Sequence, residues 1–326
     1  MASRLASLLA AIACSAAAAP LPVFAASPDP ELVVQVPGPL GPLRGLLLPA
    51  HDPRAPLAII VPGSGPTDRD GNSPAGVRSA TYRLLAEDLA ARGISVARVD
   101  KRGMFSSAQA VADANDVTLQ DYASDVRAWA RELRRASGVR CAWVIGHSEG
   151  GVVALLAGAA DPDICGVILL ATPGRPLGSI LRDQLQSNPA NRPLIESAGK
   201  IIEALESGRH VDSSDIPPPL LPLFHPRVQN FLISAMSIDP SREIARSQKP
   251  VLVVQGGRDL QVSVEDAYTL ARAGARSELV LVPEANHVLK HVAVDDRAAN
   301  LATYADPSLP IANGVVSAVA EFIARH

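Results

Sequence analysis

The sequence of 326 residues has no excess of positive charge, because 30 Lys and Arg residues stand against 33 Asp and Glu, for a formal net charge of −3. No block of basic residues stands out from this balance. Proteins that bind nucleic acid or an anionic membrane surface by electrostatic attraction carry such an excess or such a block. The composition therefore gives no reason to expect either partner.

Motifs for metals and nucleotide cofactors are also missing. No Cys and His residues are spaced as zinc ligands, and no Gly-x-Gly-x-x-Gly or P-loop pattern follows a predicted strand. Asp68 and Asp70 resemble the start of a calcium loop, but the twelfth position, which requires a glutamate, is Ser79. We expect neither a metal nor a cofactor, and we interpret Asp68, Arg69 and Asp70 as charges that brace a loop.

The N-terminal residues are typical of an export signal. Arg4 precedes an apolar, alanine-rich run over residues 5–19, and small residues within 23–25 fit signal-peptidase cleavage after Ala25, with Ala26 as the neighbouring option. Pro20 interrupts the apolar run before it reaches the roughly 20 residues that a membrane-spanning helix needs. We therefore predict export to the periplasm or the medium, with no membrane anchor after cleavage.

The chain has only three cysteines. Cys14 lies in the predicted signal and faintly resembles a lipoprotein cleavage site, although Ala11 is a poor first residue for one. Cys141 and Cys165 remain after cleavage, and each begins a strand that should neighbour the other in the sheet. An oxidising compartment permits a bridge. A disulfide and a pair of buried thiols are the two alternatives.

The most informative stretch is Gly-His-Ser-Glu-Gly-Gly, residues 146–151. An apolar run over residues 141–145 precedes it and an apolar helical run over 152–157 follows, which is the strand–turn–helix context of a nucleophile elbow. A strand that turns at once into a helix crowds its backbone, so glycine is needed on both sides of the serine. The turn strains Ser148 and exposes its hydroxyl. The pattern predicts that Ser148 is a nucleophile.

Apolar strands alternate with amphipathic helices along most of the chain. This alternation predicts an α/β fold with a mostly parallel sheet covered by helices on both faces. Residues 173–248 differ, because they are rich in proline and contain helical stretches (178–187, 193–207 and 226–236) but no convincing strand. We predict a signal peptide (1–25), a core (26–172 and 249–326) and a helical cap insertion (173–248). The insertion starts at the carboxyl end of a strand, where it can cover a site.

A serine nucleophile needs a base, and the base needs a carboxylate to hold its tautomer. In this architecture the acid and then the histidine follow the serine along the chain, each after a strand. Asp259 follows a strand through a glycine-rich turn, and His287 comes just after the strand over residues 278–282. We predict that Asp259 is the acid and His287 the base. His291 is the poorer alternative for the base.

The oxyanion that forms when serine attacks a carbonyl needs two backbone donors. Glu149, the residue after the nucleophile, supplies one N–H independently of its side chain. The loop after Val61 should supply the other, from Ser64 or, as the next alternative, from Gly65.

Together these motifs resemble the α/β-hydrolase family, in particular its esterases and serine-aminopeptidase-like members with a Gly-Ser-Gly-Pro-x-Asp-Arg-Asp-Gly loop. The resemblance covers roughly residues 31–324. It rests on motifs in the family's order at residues 63–71, 100–103, 146–151, 256–259 and 286–287. It implies a Ser148–Asp259–His287 triad that acts on carboxylic esters, often with short acyl chains. Many relatives have a second glycine soon after Arg-Gly where this chain has Met104 and Phe105, which either pack against the cap or narrow the acyl pocket.

We therefore expect an exported serine hydrolase, in the first place a carboxylesterase that cleaves small, short-acyl esters through an acyl-enzyme on Ser148. Its partner would be a small-molecule ester. A serine aminopeptidase or amidase of the same fold is the main alternative, and a non-catalytic binding protein is a more remote one. An aminopeptidase needs cap carboxylates for the substrate's amine, and the insertion offers Glu196, Glu203, Glu206, Asp212 and Asp215. The sequence leaves the oligomeric state open.

Overall fold

The computed structural model describes residues 30–326, so the predicted signal peptide, its cleavage site and Cys14 lie outside the described residues. The strands, in chain order, are β1 (Leu32–Val36), β2 (Leu43–Leu48), β3 (Leu57–Val61), β4 (Asn72–Ser73), β5 (Val77–Arg78), β6 (Ser95–Val99), β7 (Ala142–His147), β8 (Ile164–Leu170), β9 (Val251–Gly256) and β10 (Ser277–Val282). Within residues 30–326, eight of these strands form one sheet in the order β1-β2-β6-β3-β7-β8-β9-β10, and β4 pairs with β5.

The central sheet is mostly parallel. β1 pairs antiparallel with β2, and β2 pairs antiparallel with β6, whereas the pairs from β6 through β10 are all parallel. Every residue of β3 and β7 is buried. Parallel strands are buried in this way when helices cover both faces of their sheet. The α/β fold predicted from the alternating pattern is confirmed.

Helices cover both faces of the sheet. Those of the core are α1 (Thr81–Ala90), α2 (Leu119–Ser137), α3 (Glu149–Gly158), α9 (Val264–Ala273), α10 (Arg297–Ala302) and α11 (Asn313–Arg325). Residues of α2, α3 and α9 share one apolar cluster with Ile59 of β3, while residues of α1 and α11 share another with its neighbour Ile60. Successive strand residues point to opposite faces, so two separate apolar layers enclose the sheet.

Local sequence signals fix the ends of the long core helices. Thr118 and Asp121 form a reciprocal capping box at the start of α2, and Gly138 follows its last residue with φ 74°. Ser263 and Asp266 form the same box at the start of α9. Such a box satisfies two backbone N–H groups that a helix start leaves free, so both starts could be predicted.

Residues 173–248, called the cap segment below, contain helices and turns throughout their described length. The helices are α4 (Leu177–Gln186), α5 (Ile195–Glu206), α6 (Leu221–Phe224), α7 (Gln229–Met236) and α8 (Pro240–Arg246). The segment has a third apolar cluster, which includes the buried side chains of Ile202, Leu205 and Phe224. It therefore packs around a small core of its own.

Besides α6, two short helices, α8 and α10, lie outside the stretches that the sequence predicts as helical. Each has a capping side chain, since Asp239 accepts a hydrogen bond from the N–H of Ser241 and Asp296 accepts one from Ala299. A capping aspartate stabilises even a short helix. Their six or seven residues are too few to display a clear apolar period.

Cys141 and Cys165 are joined by a disulfide, with their Cα atoms 5.2 Å apart. The bridge links the start of β7 to β8, which are paired strands of the sheet. Among residues 30–326, no helix is both long and apolar enough to cross a membrane.

Candidate active site

The turn between β7 and α3 holds Ser148 in an unusual backbone conformation, with φ 54° and ψ −124°. The N–H of Ser148 donates to the carbonyl of Leu170, 2.8 Å away, at the end of the neighbouring strand. A Cβ at Gly146 would lie 2.2 Å from the carbonyl oxygen of Gly150, and one at Gly150 would lie 2.3 Å from that of Val61. The crowding expected of a nucleophile elbow is therefore present, and it enforces the strain at Ser148.

Asp259 and His287, predicted as acid and base, are in direct contact. Nδ1 of His287 donates to Oδ2 of Asp259 at 2.9 Å, and the two side chains are 7% and 0% exposed. The other carboxylate oxygen accepts the N–H groups of Gln261 and Val262, and Gln255 Nε2 donates to Oδ2. Burial by itself raises the pKa of Asp259, but His287 and these backbone donors outweigh it, so the pKa lies below its usual value. Asp259 is therefore ionised and holds the Nδ1–H tautomer of His287.

Ser148 and His287 line the same small cavity, which has a volume of about 180 Å³. Within the described part of the chain, the Ser148 hydroxyl makes no hydrogen bond to the His287 ring. Such contacts are often long in enzymes without substrate and tighten in the complex. The structure thus brings the acid and the base together and places the serine beside the base.

Two backbone N–H groups are available near the Ser148 hydroxyl. Those of Ser64 and Glu149 donate to no acceptor within residues 30–326, and both residues line a larger cavity together with Ser148. The Ser64 loop is held by Lys101, whose Nζ donates to the carbonyls of Gly63 at 2.5 Å and Gly65 at 2.8 Å. These N–H groups are where the predicted oxyanion donors should be.

A buried hydrogen-bond chain links the Ser64 loop to the His287 loop. The N–H of Gly63 donates to the Tyr82 hydroxyl (3.0 Å), which contacts Nδ1 of His147 (2.8 Å), and Nε2 of His147 contacts the carbonyl oxygen of His287 (2.8 Å). Burial, and then the proximity of His287, lower the pKa of His147 to about 3, so its ring is neutral. Since the His287 carbonyl can only accept, His147 donates from Nε2 and accepts from the Tyr82 hydroxyl at Nδ1.

The sequence alone does not reveal this hydrogen-bond chain. Its patterns indicate only that His147 adjoins the nucleophile in the elbow and that Tyr82 belongs to an amphipathic helix. The contacts join positions 65 and 140 residues apart. No local pattern in one sequence carries such a signal.

The remaining candidates from the sequence are His291 and the charged residues 68–70, and they lie outside the predicted catalytic cluster. His291 is exposed and lines a separate cavity with Asp88 and Arg92. Asp68 accepts the backbone N–H groups of Asp70 and Asn72. The side chains of Arg69 and Asp70 pair with Asp100 and Arg98, respectively. These contacts are those of charges that brace a loop.

A cavity of about 500 Å³ lies between Ser148 and the cap segment. Met104 lines it, whereas Phe105 is outside its lining and 41% exposed. Phe105 also has φ 45°, in the left-handed region that favours glycine. Met104 and Phe105 stand where many relatives have a second glycine, and of these two residues only Met104 affects the size of this cavity.

Comparisons with known proteins agree with this architecture. A family model described as serine aminopeptidase, S33, matches residues 75–216. Esterase EstD of Thermotoga maritima is 27% identical over 213 residues, which cover 65% of this chain and 48% of EstD. The chain thus spans about half the length of this curated relative.

Two solved structures share the fold. Est1E from Butyrivibrio proteoclasticus, solved with ferulic acid bound, aligns with a TM-score of 0.57 and 21% identity over 90% of this chain and 98% of Est1E. The α/β hydrolase GrgF from Penicillium sp. sh18 aligns with a TM-score of 0.60 and 20% identity over 91% and 99% of the two chains.

The sheet order, the strained serine turn and the shared fold show that the chain has the α/β-hydrolase fold. The match to the family model over residues 75–216 and the likeness to EstD make the chain similar to proteins of the α/β-hydrolase family.

Proposed function

We propose that this protein is an exported serine hydrolase that cleaves small carboxylic esters through an acyl-enzyme on Ser148. The observation that carries the proposal is the buried Asp259–His287 pair, whose histidine lines the same cavity as the strained Ser148. The names of the similar proteins EstD and Est1E, both called esterases, support the same reaction class.

In the proposed mechanism, the Ser148 oxygen attacks the ester's acyl carbon while Nε2 of His287 accepts the serine proton. Asp259 holds the tautomer of His287 and stabilises the imidazolium that forms. The N–H groups of Ser64 and Glu149 hold the developing oxyanion. His287 then gives its proton to the departing alkoxide. Water, activated by the same histidine, cleaves the acyl-enzyme and releases the acid.

Ser148→Ala tests the role of the nucleophile. We expect kcat on p-nitrophenyl esters to fall by on the order of 10³–10⁶, because the triad acts as a unit. Ser124→Ala is the matched control, since Ser124 is exposed on α2 and lines neither cavity at Ser148. The substitution at position 124 should leave kcat within a factor of about two. Unchanged turnover in Ser148→Ala would refute the mechanism, and no turnover in the wild type would favour the binding-protein alternative.

Export is part of the proposal. It is supported by the charged and apolar pattern of residues 1–25 and by the disulfide, because disulfides persist in oxidising compartments. N-terminal sequencing of the protein recovered from the periplasm or medium should begin at Ala26. A cytosolic chain that retains Met1 would contradict export and leave the catalytic proposal intact.

A serine aminopeptidase or amidase is the second candidate. Two observations favour it. The family model is described as a serine aminopeptidase. The carboxyl group of Glu149 lines the large cavity and has no hydrogen-bond partner within residues 30–326, so it is available to a substrate amine. The acidic residues predicted to bind an amine do not line either cavity at Ser148. Two of them form ion pairs on the cap segment, Glu196 with Lys200 and Glu206 with Arg182.

Aminoacyl-anilides, assayed beside the esters, separate the two candidates. Burial raises the pKa of the Glu149 carboxyl, which weakens it as a partner for a cationic amine. We therefore expect little anilide cleavage, and we expect Glu149→Gln to retain esterase activity. Efficient anilide turnover that is lost selectively in Glu149→Gln would identify an aminopeptidase.

A further inference from the structure

Two cavities of different character meet at Ser148. The small one, of about 180 Å³, is lined largely by hydroxyl-bearing and amide side chains, which include Thr67, Ser73, Thr81 and Gln261. The large one, of about 500 Å³, is lined mainly by aliphatic and aromatic side chains. Because Ser148 lines both, an ester bound there would direct one side into each cavity.

The position of the base decides which side of the ester enters which cavity. His287 lines the small cavity and is absent from the lining of the large one. In the proposed mechanism His287 protonates the departing alkoxide, so the alcohol must lie on the side of His287. The acyl chain must then extend into the large cavity.

The walls of the large cavity favour a neutral chain. The cap segment contributes apolar side chains such as Ile180, Leu223 and Phe231. The two cations in the lining are already engaged within the described structure, Lys101 with backbone carbonyls and Arg175 with Asp266 and Asp183. No free positive charge in this lining is available to bind a carboxylate at the end of an acyl chain.

The volume sets the length of the chain. A water-sized group occupies about 30 Å³, and a methylene group is of similar size, so about 500 Å³ holds at least ten such groups. The small cavity, by the same measure, holds an alcohol of only a few atoms.

We infer that the substrate is a neutral ester of a medium-chain acid, with about eight or more acyl carbons, and a small alcohol. This inference rests on the proposed function, and it extends the acyl chain beyond the short chains that the family resemblance implies.

Two isomeric esters, methyl octanoate and heptyl acetate, test the inference with equal mass and nearly equal hydrophobicity. Acid release is followed by pH-stat titration below the concentration at which either ester forms a separate phase. We expect kcat/KM for methyl octanoate to exceed that for heptyl acetate by at least thirtyfold, and to rise about fourfold per methylene from methyl acetate to methyl octanoate. Equal rates, or a preference for heptyl acetate, would overturn the inference.

A variant that fills part of the large cavity tests whether the substrate's acyl chain lies there. Ala235 is buried in α7 and lines the large cavity, so Ala235→Phe should shift the preferred acyl length towards acetate and lower methyl octanoate kcat/KM by at least tenfold. Ser237→Phe adds the same ring at a neighbouring, exposed position and should leave the profile unchanged. An unchanged profile in Ala235→Phe would place the acyl chain elsewhere.

The outcomes also separate this inference from the proposed function. Ser148-dependent hydrolysis of methyl acetate with no gain for longer acids would retain the serine esterase and reject the medium-chain substrate. If the wild-type enzyme hydrolyses none of these esters in a Ser148-dependent way, both the proposed esterase function and the medium-chain substrate are rejected.

Discussion

The two walls of the large cavity are built on different principles. The core wall places Lys101, Glu149 and the Ser64 loop around Ser148, and behind it lies a buried network of directional hydrogen bonds. The cap wall presents mainly aliphatic and aromatic side chains, and the ion pair of Arg182 with Glu206 lies outside the cavity lining. Under the proposed function, this difference assigns bond breaking to the core and the choice of substrate to the cap segment.

The largest expected effect comes from a substitution in the core, which should change turnover but not substrate preference. Asp259→Asn keeps the shape of the side chain but favours the wrong His287 tautomer, so kcat should fall by about 10⁴ while KM changes little. The substitution should leave the order of preference among acyl chains unchanged, because that order belongs to the cap wall. Steady-state kinetics on methyl esters of graded acyl length measure both quantities. A reordered preference would show that the two walls are not independent.

The next effect concerns the stability that two bidentate ion pairs with the same bond distances contribute. Arg102 and Asp125 make a bidentate pair in the core, at 2.7 and 2.6 Å, with 10% and 12% of the side chains exposed. Arg182 and Glu206 make one in the cap segment, at 2.7 and 2.6 Å, with 34% and 33% exposed.

Asp125→Asn should lower the free energy of unfolding by about 1.5–3 kcal/mol, because it removes the buried charge partner of Arg102 and leaves the guanidinium only the more exposed carboxylate of Asp121. Glu206→Gln should lower it by about 0–1 kcal/mol, since solvent screens the exposed pair. Urea denaturation compares the two variants. Equal losses would mean that burial does not distinguish the core from the cap segment.

The smallest expected effect comes from removing one hydroxyl of the buried hydrogen-bond chain in the core. Tyr82→Phe leaves the Gly63 N–H and His147 Nδ1 without a buried partner, which should cost about 1–3 kcal/mol of stability. The loops that carry Ser64 and His287 lose their link, so kcat should fall about tenfold at constant KM, a size typical of one lost neutral hydrogen bond. Tyr268→Phe, at a 37% exposed tyrosine, is the control and should change neither quantity. A Tyr82→Phe enzyme with lower stability but full kcat would show that the chain is only structural.

The sequence contained the parts of the site that depend on local pattern. Glycine-rich turns after apolar strands mark Ser148 and Asp259, and the turn after β10 marks His287, so the strand ends could be found and their residues proposed. Their catalytic roles stay predictions until the variants are made. Lys101 and Tyr82 could not be found in this way, because each acts through contacts with residues distant in sequence.

The cap segment was predictable in type but less so in detail. Its helical content follows from the absence of alternating apolar runs, and α4 and α5 start within two residues of their predicted starts. The predicted helix over residues 226–236 instead begins as a 3₁₀ turn at Pro226–Val228, and α7 follows. Which side chains of these helices face Ser148 depends on how they pack, and that is a tertiary property.

The backbone at Ser148 has a consequence for the protein's evolution. A left-handed conformation at a residue other than glycine costs on the order of 1–3 kcal/mol, so Ser148→Gly would relieve the strain while removing the hydroxyl. At this one position, a substitution that stabilises the fold would also abolish the proposed activity. Selection for stability alone would erode the serine, and its persistence in a lineage would report continuous selection for turnover.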